Sequence, residues 1–233
     1  MEFNHTFLPV AKSFVEVIFA GMISIEKFEF NPFAENTYIL FDETKECVII
    51  DPGCYDATEQ QLLSQYIEYE KLKPKFLLNT HCHIDHIFGN NYIKQKFDIP
   101  FYAHEMDMPV LESGHRTAML YQLSYDESPK PDAFLDVSKK ISFGNSELSM
   151  LFTPGHSPGS VCFVATEQKF IIGGDVLFRQ SIGRTDLPGG NHKTLIESIK
   201  NQLYTLPDEF VVYPGHGQST TIGFEKQYNP FTR

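Results

Sequence analysis

Seven residues, Thr80-His81-Cys82-His83-Ile84-Asp85-His86, constrain this chain more than any other stretch. They follow the short apolar run Lys75–Leu78, which reads as a buried strand, and precede Ile87–Phe97, which reads as a helix. In an extended loop, residues two apart point the same way, so His81 and His83 share one side and Cys82 faces the other. The turn into the helix then swings Asp85 and His86 back toward the same space. Three imidazoles and a carboxylate at this density are a metal-binding arrangement. A plainer reading, polar residues at a helix N-terminus with Asp85 as a cap, accounts for Asp85 but not for three histidines.

The remaining chain supplies a scaffold. Ile23–Phe30 alternates as a half-buried strand does, and Asn36–Phe41 and Glu46–Ile50 predict two more strands joined by Asp42-Glu43-Thr44-Lys45. Asp51-Pro52-Gly53 ends the last of these. Leu62, Leu63, Tyr66, Ile67 and Tyr69 predict a helix over Asp56–Lys71 that Pro74 stops. Residues 104–131 read as irregular helix broken by Gly114, Pro129 and Pro131. Strands come next at Lys140–Phe143 and Glu147–Phe152 around a Gly144-Asn145 turn, and at Val161–Ala165 and Lys169–Ile172. A helix over His192–Leu203 and a strand over Phe210–Tyr213 complete the order. Strands, helices, strands, helix, strand, with hairpins inside the strand runs, predict an α+β sandwich of two mixed sheets covered by helices. No G-x-G-x-x-G follows a strand and no G-K-[ST] occurs, so dinucleotide and P-loop sites are excluded.

Three further strand ends carry a candidate ligand on a loop stiffened by Gly or Pro: His156 in Thr153-Pro154-Gly155-His156-Ser157-Pro158-Gly159, Asp175 after Gly173-Gly174, and His216 in Pro214-Gly215-His216-Gly217. A lone loop histidine is ordinarily just solvated. Several strand ends presenting ligands together are how a scaffold gathers a site. His5, His104, His115 and His192 lack that setting.

Composition narrows the partners. The 233 residues carry 19 Lys+Arg against 30 Asp+Glu, a net charge of −11, which repels phosphate backbones and excludes nucleic acid. No segment reaches the roughly 20 apolar residues of a membrane span, so no membrane partner is expected. Cys47, Cys54, Cys82 and Cys162 form no C-x-x-C pair and read as reduced thiols of a cytoplasmic protein. Residues 1–21 differ in pattern from the rest of the chain and read as an N-terminal extension, with one domain over 22–233.

The H-x-H-x-D-H cluster followed by a distant His, an Asp and a final His resembles the metallo-β-lactamase fold hydrolases. The likeness runs from about Met22 to the C-terminus. Gly173-Gly174-Asp175, Arg184-Thr185-Asp186-Leu187-Pro188-Gly189-Gly190 and Thr220–Lys226 are similar to the compact glyoxalase II-like group. The resemblance implies an αββα sandwich with metals at one edge. It implies one ion on His81, His83 and His156, a second on Asp85, His86 and His216, and Asp175 bridging both with a water. Asp85 and Asp175 would stand at the catalytic centre. All-N/O ligation fits two zinc ions, with iron or manganese serving the same chemistry. Such ions lower the pKa of bound water to about 7 and polarise a carbonyl, so a thioester or ester is the expected small-molecule substrate. Asp51 reads equally as support for the centre and as a turn-former before Pro52.

Full glyoxalase II enzymes add a C-terminal helical region that binds glutathione, whereas seventeen residues follow His216 here. Thioester hydrolysis without tight glutathione recognition is therefore expected. The alternatives are a persulfide dioxygenase with one iron on His81, His156 and Asp175, and a lactonase or other ester hydrolase of the same fold. β-Lactamases with a cysteine ligand near position 175 are excluded by Asp175, and a closed structural zinc site by the number of N/O ligands.

Overall fold

The computed structural model describes residues 21–233. The proposed extension, apart from Gly21, lies outside the described residues. The first sheet is built from β1 (Ser24–Phe30), β2 (Glu35–Phe41), β3 (Glu46–Ile50), β4 (Lys73–Leu78), β5 (Phe101–Ala103) and β6 (Ala133–Phe134), in that spatial order. β1, β2 and β3 pair antiparallel; β3 through β6 pair parallel. Between them lie α1 (Ala57–Tyr69), α2 (Ile84–Ile87), α3 (Asn90–Phe97), α4 (Met108–Glu112) and α5 (Gly114–Tyr121).

The second sheet takes β7 (Ile141–Phe143), β8 (Ser146–Phe152), β9 (Val161–Ala165) and β10 (Phe170–Gly174) as an antiparallel meander. A small hairpin of β11 (Leu177–Phe178) and β12 (Ser181–Ile182) comes next, then α6 (His192–Asn201). The chain crosses through α6 to β13 (Val211–Pro214), which pairs parallel to β10, and ends in β14 (Thr220–Thr221) and α7 (Ile222–Tyr228).

The central strands are apolar on both faces because both faces are covered. Tyr38, Leu40, Val48 and Ile50 point between the sheets and meet Phe143, Leu148, Phe163 and Ile172 from the second sheet. Their neighbours Ile39, Cys47 and Ile49 point the other way, onto Leu63 and Ile67 of α1 and Ile93 of α3. In the second sheet, Cys162, Val164 and Ile171 pack on Leu195 and Ile199 of α6 and Ile222 of α7. Four layers, αββα, result, as the sequence pattern predicts.

Several boundaries differ from expectation for local reasons. Pro74 does not stop α1: the helix, capped by the Asp56 carboxylate at Thr58 and Glu59 N–H, ends when Lys71 enters the left-handed region at φ 56°. Pro74 lies inside β4, where the register with β3 shifts between Cys47 and Val48 and accommodates a residue with no N–H. The helix expected over Ile87–Phe97 is two helices interrupted at Phe88-Gly89, where Gly89 N–H donates to Pro52 O at 2.7 Å instead of continuing the helix. His83, not Asp85, occupies the N-cap of α2, so Asp85 is free of the capping role. Strands β5 and β6 and helix α7 have too little periodicity to read from sequence; all three are recruited by neighbours.

Candidate metal centre

β3 and β4 run parallel, while β8 and β10 both run antiparallel to β9 and β13 runs parallel to β10. The C-terminal ends of these strands therefore collect along one edge. Backbone bonds join the two sheets there: Val161 N–H donates to Thr80 O at 2.8 Å and Asn36 N–H to Gly215 O at 2.7 Å. All seven residues singled out from the sequence converge on this edge.

His81, His83 and His156 form one group, with donor atoms within 4.8 Å of one another. His156 Nδ1 lies 2.7 Å from Arg184 O and must donate to it, which leaves Nε2 with a lone pair. That atom faces His83 Nδ1 at 2.8 Å and His81 Nε2 at 3.2 Å. Asp85, His86 and His216 form the second group. His216 Nε2 is 3.2 Å from Asp85 Oδ2, and His86 Nε2 is 3.4 Å from Asp175 Oδ1. Asp175 joins the two groups: its Oδ2 is 3.4 Å from His156 Nε2 and 3.5 Å from His216 Nε2.

The loops leave little freedom. Gly155 adopts φ 135°, and an added Cβ there would collide with the backbone of Leu195 in α6. α6 also grips this loop through Ser198 Oγ donating to Pro154 O at 2.7 Å. A Cβ on Gly215 would strike the Asp175 carboxylate and the His86 ring. Cys82 is buried in the core beside α1 and α3, on the side opposite its histidine neighbours, as extended geometry predicts. All four cysteines are buried free thiols.

Charge and burial explain the titration of the group. Burial, then the neighbouring imidazoles, holds His81 well below the ordinary value, and burial with His156 beside it pushes His83 down to about 3. These rings are neutral, with nitrogen lone pairs gathered at close range. Burial works against charge on His86, but Asp85 and then Asp175 outweigh it and raise its pKa. Burial likewise opposes ionisation of Asp85 and Asp175, and the surrounding imidazoles, His86 first, keep both carboxyls low. His86 Nε2 and Asp175 Oδ1 are buried and find no hydrogen-bond partner among the described residues. The neutral rings of His81 and His83, gathered beside His156, and the unpartnered buried Asp175 oxygen are costly alone and suit a divalent cation.

Three acids support the site without joining it. Asp51, in the left-handed region at φ 50°, accepts from Thr80 N–H at 2.7 Å and Thr80 Oγ1 at 2.5 Å, and lies 3.1 Å from His86 Nδ1. Asn79 Nδ2 donates to it as well at 3.2 Å, so its lone pairs are occupied, and it turns the chain and orients His86. Glu35 lies fully buried 3.8 Å from the same nitrogen, and burial raises its pKa. Asp107 receives Cys82 N–H at 2.6 Å, Ser157 Oγ at 2.6 Å and Gly159 N–H at 2.5 Å, tying the His81–His83 loop to the His156 loop. Sequence reasoning missed Glu35 and Asp107. Neither lies in a turn or ligand pattern, and only the pairing of distant loops reveals them. Of the other histidines, His104 stacks on Phe152, His115 pairs with Glu127 at 3.4 Å and His192 is exposed at the start of α6. His5 lies outside the described residues.

In front of the centre opens a cavity of about 950 Å³, lined by His83, Asp85, His156, Asp175 and His216 together with residues of α4, α5 and the 178–189 segment. A pocket of this size is typical of a small-molecule site. No helix among the described residues is long and apolar enough to cross a membrane.

Fold, gathered ligands and pocket together define a metal-dependent hydrolase. The profile of the metallo-beta-lactamase superfamily matches residues 30–216, and the chain belongs to that superfamily. It is 37% identical over 211 residues to hydroxyacylglutathione hydrolase GloC of Haemophilus influenzae, covering 90% of this chain and 98% of the relative. Among solved structures it resembles BLEG-1, a B3 metallo-beta-lactamase (TM-score 0.83, 37% identity, 90% of this chain and 99% of the other). It also resembles TTHA1623 in a di-iron-bound form (TM-score 0.80, 36% identity, 88% and 99%).

Proposed function

We propose that this chain is a binuclear metal-dependent thioesterase of the glyoxalase II type. In this reading His81, His83 and His156 hold one divalent ion, Asp85, His86 and His216 hold the other, and Asp175 spans both. The observation that carries it is the place of Asp175, whose one oxygen lies 3.4 Å from His156 and 3.5 Å from His216 at the floor of the cavity. The likeness to a hydroxyacylglutathione hydrolase supports the substrate class. When bound, the ions supply Lewis acidity and an activated water at neutral pH.

The chain's own residues do the rest. Arg184 O fixes the tautomer of His156 by accepting from Nδ1, which leaves Nε2 for the cavity, and Asp51 orients His86 through Nδ1, so that its Nε2 points toward Asp175. Asp85 and Asp175, ionised at neutral pH, balance the charge of the ions and leave room for an anion that develops during acyl transfer. A thiolate departs easily, so no dedicated general acid is required. Zinc fits this all-N/O donor set, and iron is the metal of one similar structure.

Metal analysis of the purified protein combined with a thioester hydrolysis assay tests this. Close to two ions per chain and hydrolysis of S-lactoylglutathione and simpler thioesters are expected. One iron per chain with oxygen uptake on a persulfide, or β-lactam cleavage without thioesterase activity, would replace the reading.

A further inference from the structure

One wall of the pocket comes from a segment that no motif marks. α5 presents Arg116, Thr117 and Leu120 to the cavity, with Ser113 one turn earlier, the spacing of a single helix face. Its other face is anchored: Ala118 packs with Ile84 and Phe88, so the wall rests on the short helix that carries Asp85 and His86. Tyr121, at the end of the helix, meets Phe33 edge-on at 5.5 Å across the mouth. The wall thus holds a set position relative to the centre.

Most of the lining is apolar, with Phe33, Ile84, Val110, Phe178 and Leu187 among it. Its carboxylates are Asp85 and Asp175, which belong to the centre, and its fixed cations are Arg116 and Arg184. Arg184 is already bound to Asp186, with Nε–Oδ1 at 2.7 Å and a second bond at 2.8 Å. Arg116 makes no ion pair among the described residues. Of the acids on the surrounding segments, Glu112 faces Lys130 at 3.8 Å and Glu127 faces His115 at 3.4 Å. In a chain of net charge −11, an unpaired guanidinium on an apolar pocket wall is a receiver for an anion.

Resting on the hydrolase reading, we propose that the pocket takes thioesters with one apolar arm ending in a carboxylate, which Arg116 receives. A single guanidinium fork matches one carboxylate and its single charge, whereas a dianionic phosphate calls for a second free cation that Arg184, held by Asp186, does not supply. Arg116 contacts none of the candidate ligands, so in this reading its contact is equal in the ground and transition states. It is a specificity residue that acts on KM and leaves kcat unchanged.

The test uses pairs of thioesters that differ only in a terminal carboxylate or its carboxamide, placed on the acyl arm in one pair and on the thiol arm in the other. For at least one pair the carboxylate member is expected to show a KM about five- to tenfold lower at equal kcat, with the preference shrinking in added salt. Arg116→Gln abolishes that preference, Arg116→Lys keeps part of it and Arg116→Glu reverses it. Arg116 is exposed, so these variants fold. Binding of the matching non-hydrolysable thioethers is followed by calorimetry, and the same order of affinities is expected. If no thioester is turned over, the hydrolase reading fails while the thioether affinities still decide the role of Arg116. Equal affinity for both members of each pair, or a preference that survives in Arg116→Gln, overturns the proposal.

Discussion

Replacing Asp107 by Asn tests whether the candidate centre depends on a residue that touches none of its ligands. The Asp107 carboxylate accepts three donors: Cys82 N–H at 2.6 Å, Ser157 Oγ at 2.6 Å and Gly159 N–H at 2.5 Å. Burial pushes its pKa up, and these three donors pull the other way. An Asn amide keeps one acceptor oxygen, which serves Ser157 and Gly159, but turns an NH₂ toward the Cys82 N–H. One charge-assisted bond is lost and a buried donor is left facing another donor, at a cost of about 2–3 kcal/mol. For a domain of this length that lowers Tm by about 5–10 °C. The strain falls between the loop of His81 and His83 and the loop of His156, so metal affinity at that group should drop, by at most about 100-fold if the whole ~2–3 kcal/mol is felt there. The histidines themselves are untouched. Chelator competition on metal-loaded wild type and Asp107→Asn reads the affinity, and a thermal melt of each reads the stability. Wild-type affinity in a variant with lowered Tm would show that Asp107 only holds the fold and would refute the coupling of the two loops.

Asp175→Ala removes the carboxylate between the two histidine groups, so metal content and thioester turnover should fall together while circular dichroism stays native; retained turnover would sink the two-ion mechanism. In metal-free protein, His83 titrates at about 3 instead of the ordinary 6.5, so between those values the unfolded chain binds more protons than the fold. That site then contributes stability that rises with pH, and His83→Gln should show a shallower loss of Tm on acidification from about pH 7 to about pH 4; parallel curves would contradict the burial argument. Gly159→Ala brings a Cβ within 2.8 Å of the Asp107 carboxylate and should destabilise the protein by about 1–3 kcal/mol in denaturant titration. Deleting residues 1–21 should leave hydrolysis intact, because every candidate ligand comes after Met22; an inactive truncation would make that segment part of the working domain.

Four of the seven candidate ligands were legible in the sequence together because they are local. His81, His83, Asp85 and His86 sit within one loop, and two-residue alternation in that loop already sends His83 to one side and Cys82 into the core. The sandwich was legible for a similar reason: runs such as Ile49-Ile50 and Ile171-Ile172 are apolar at every position, which only a sheet covered on both faces allows. Tertiary structure alone decided what depends on distant segments meeting. Pro74 reads as a stop yet lies within β4, because a shifted register beside it removes the need for its N–H. Asp107 and Glu35 are ordinary acids in the chain, and become supports of the centre only when loops far apart in sequence close on them. The pocket wall is the extreme case. Arg116 belongs to a short, weakly patterned helix, and its role comes from the packing of Ala118 on Ile84, a contact between two short helices that no local periodicity encodes.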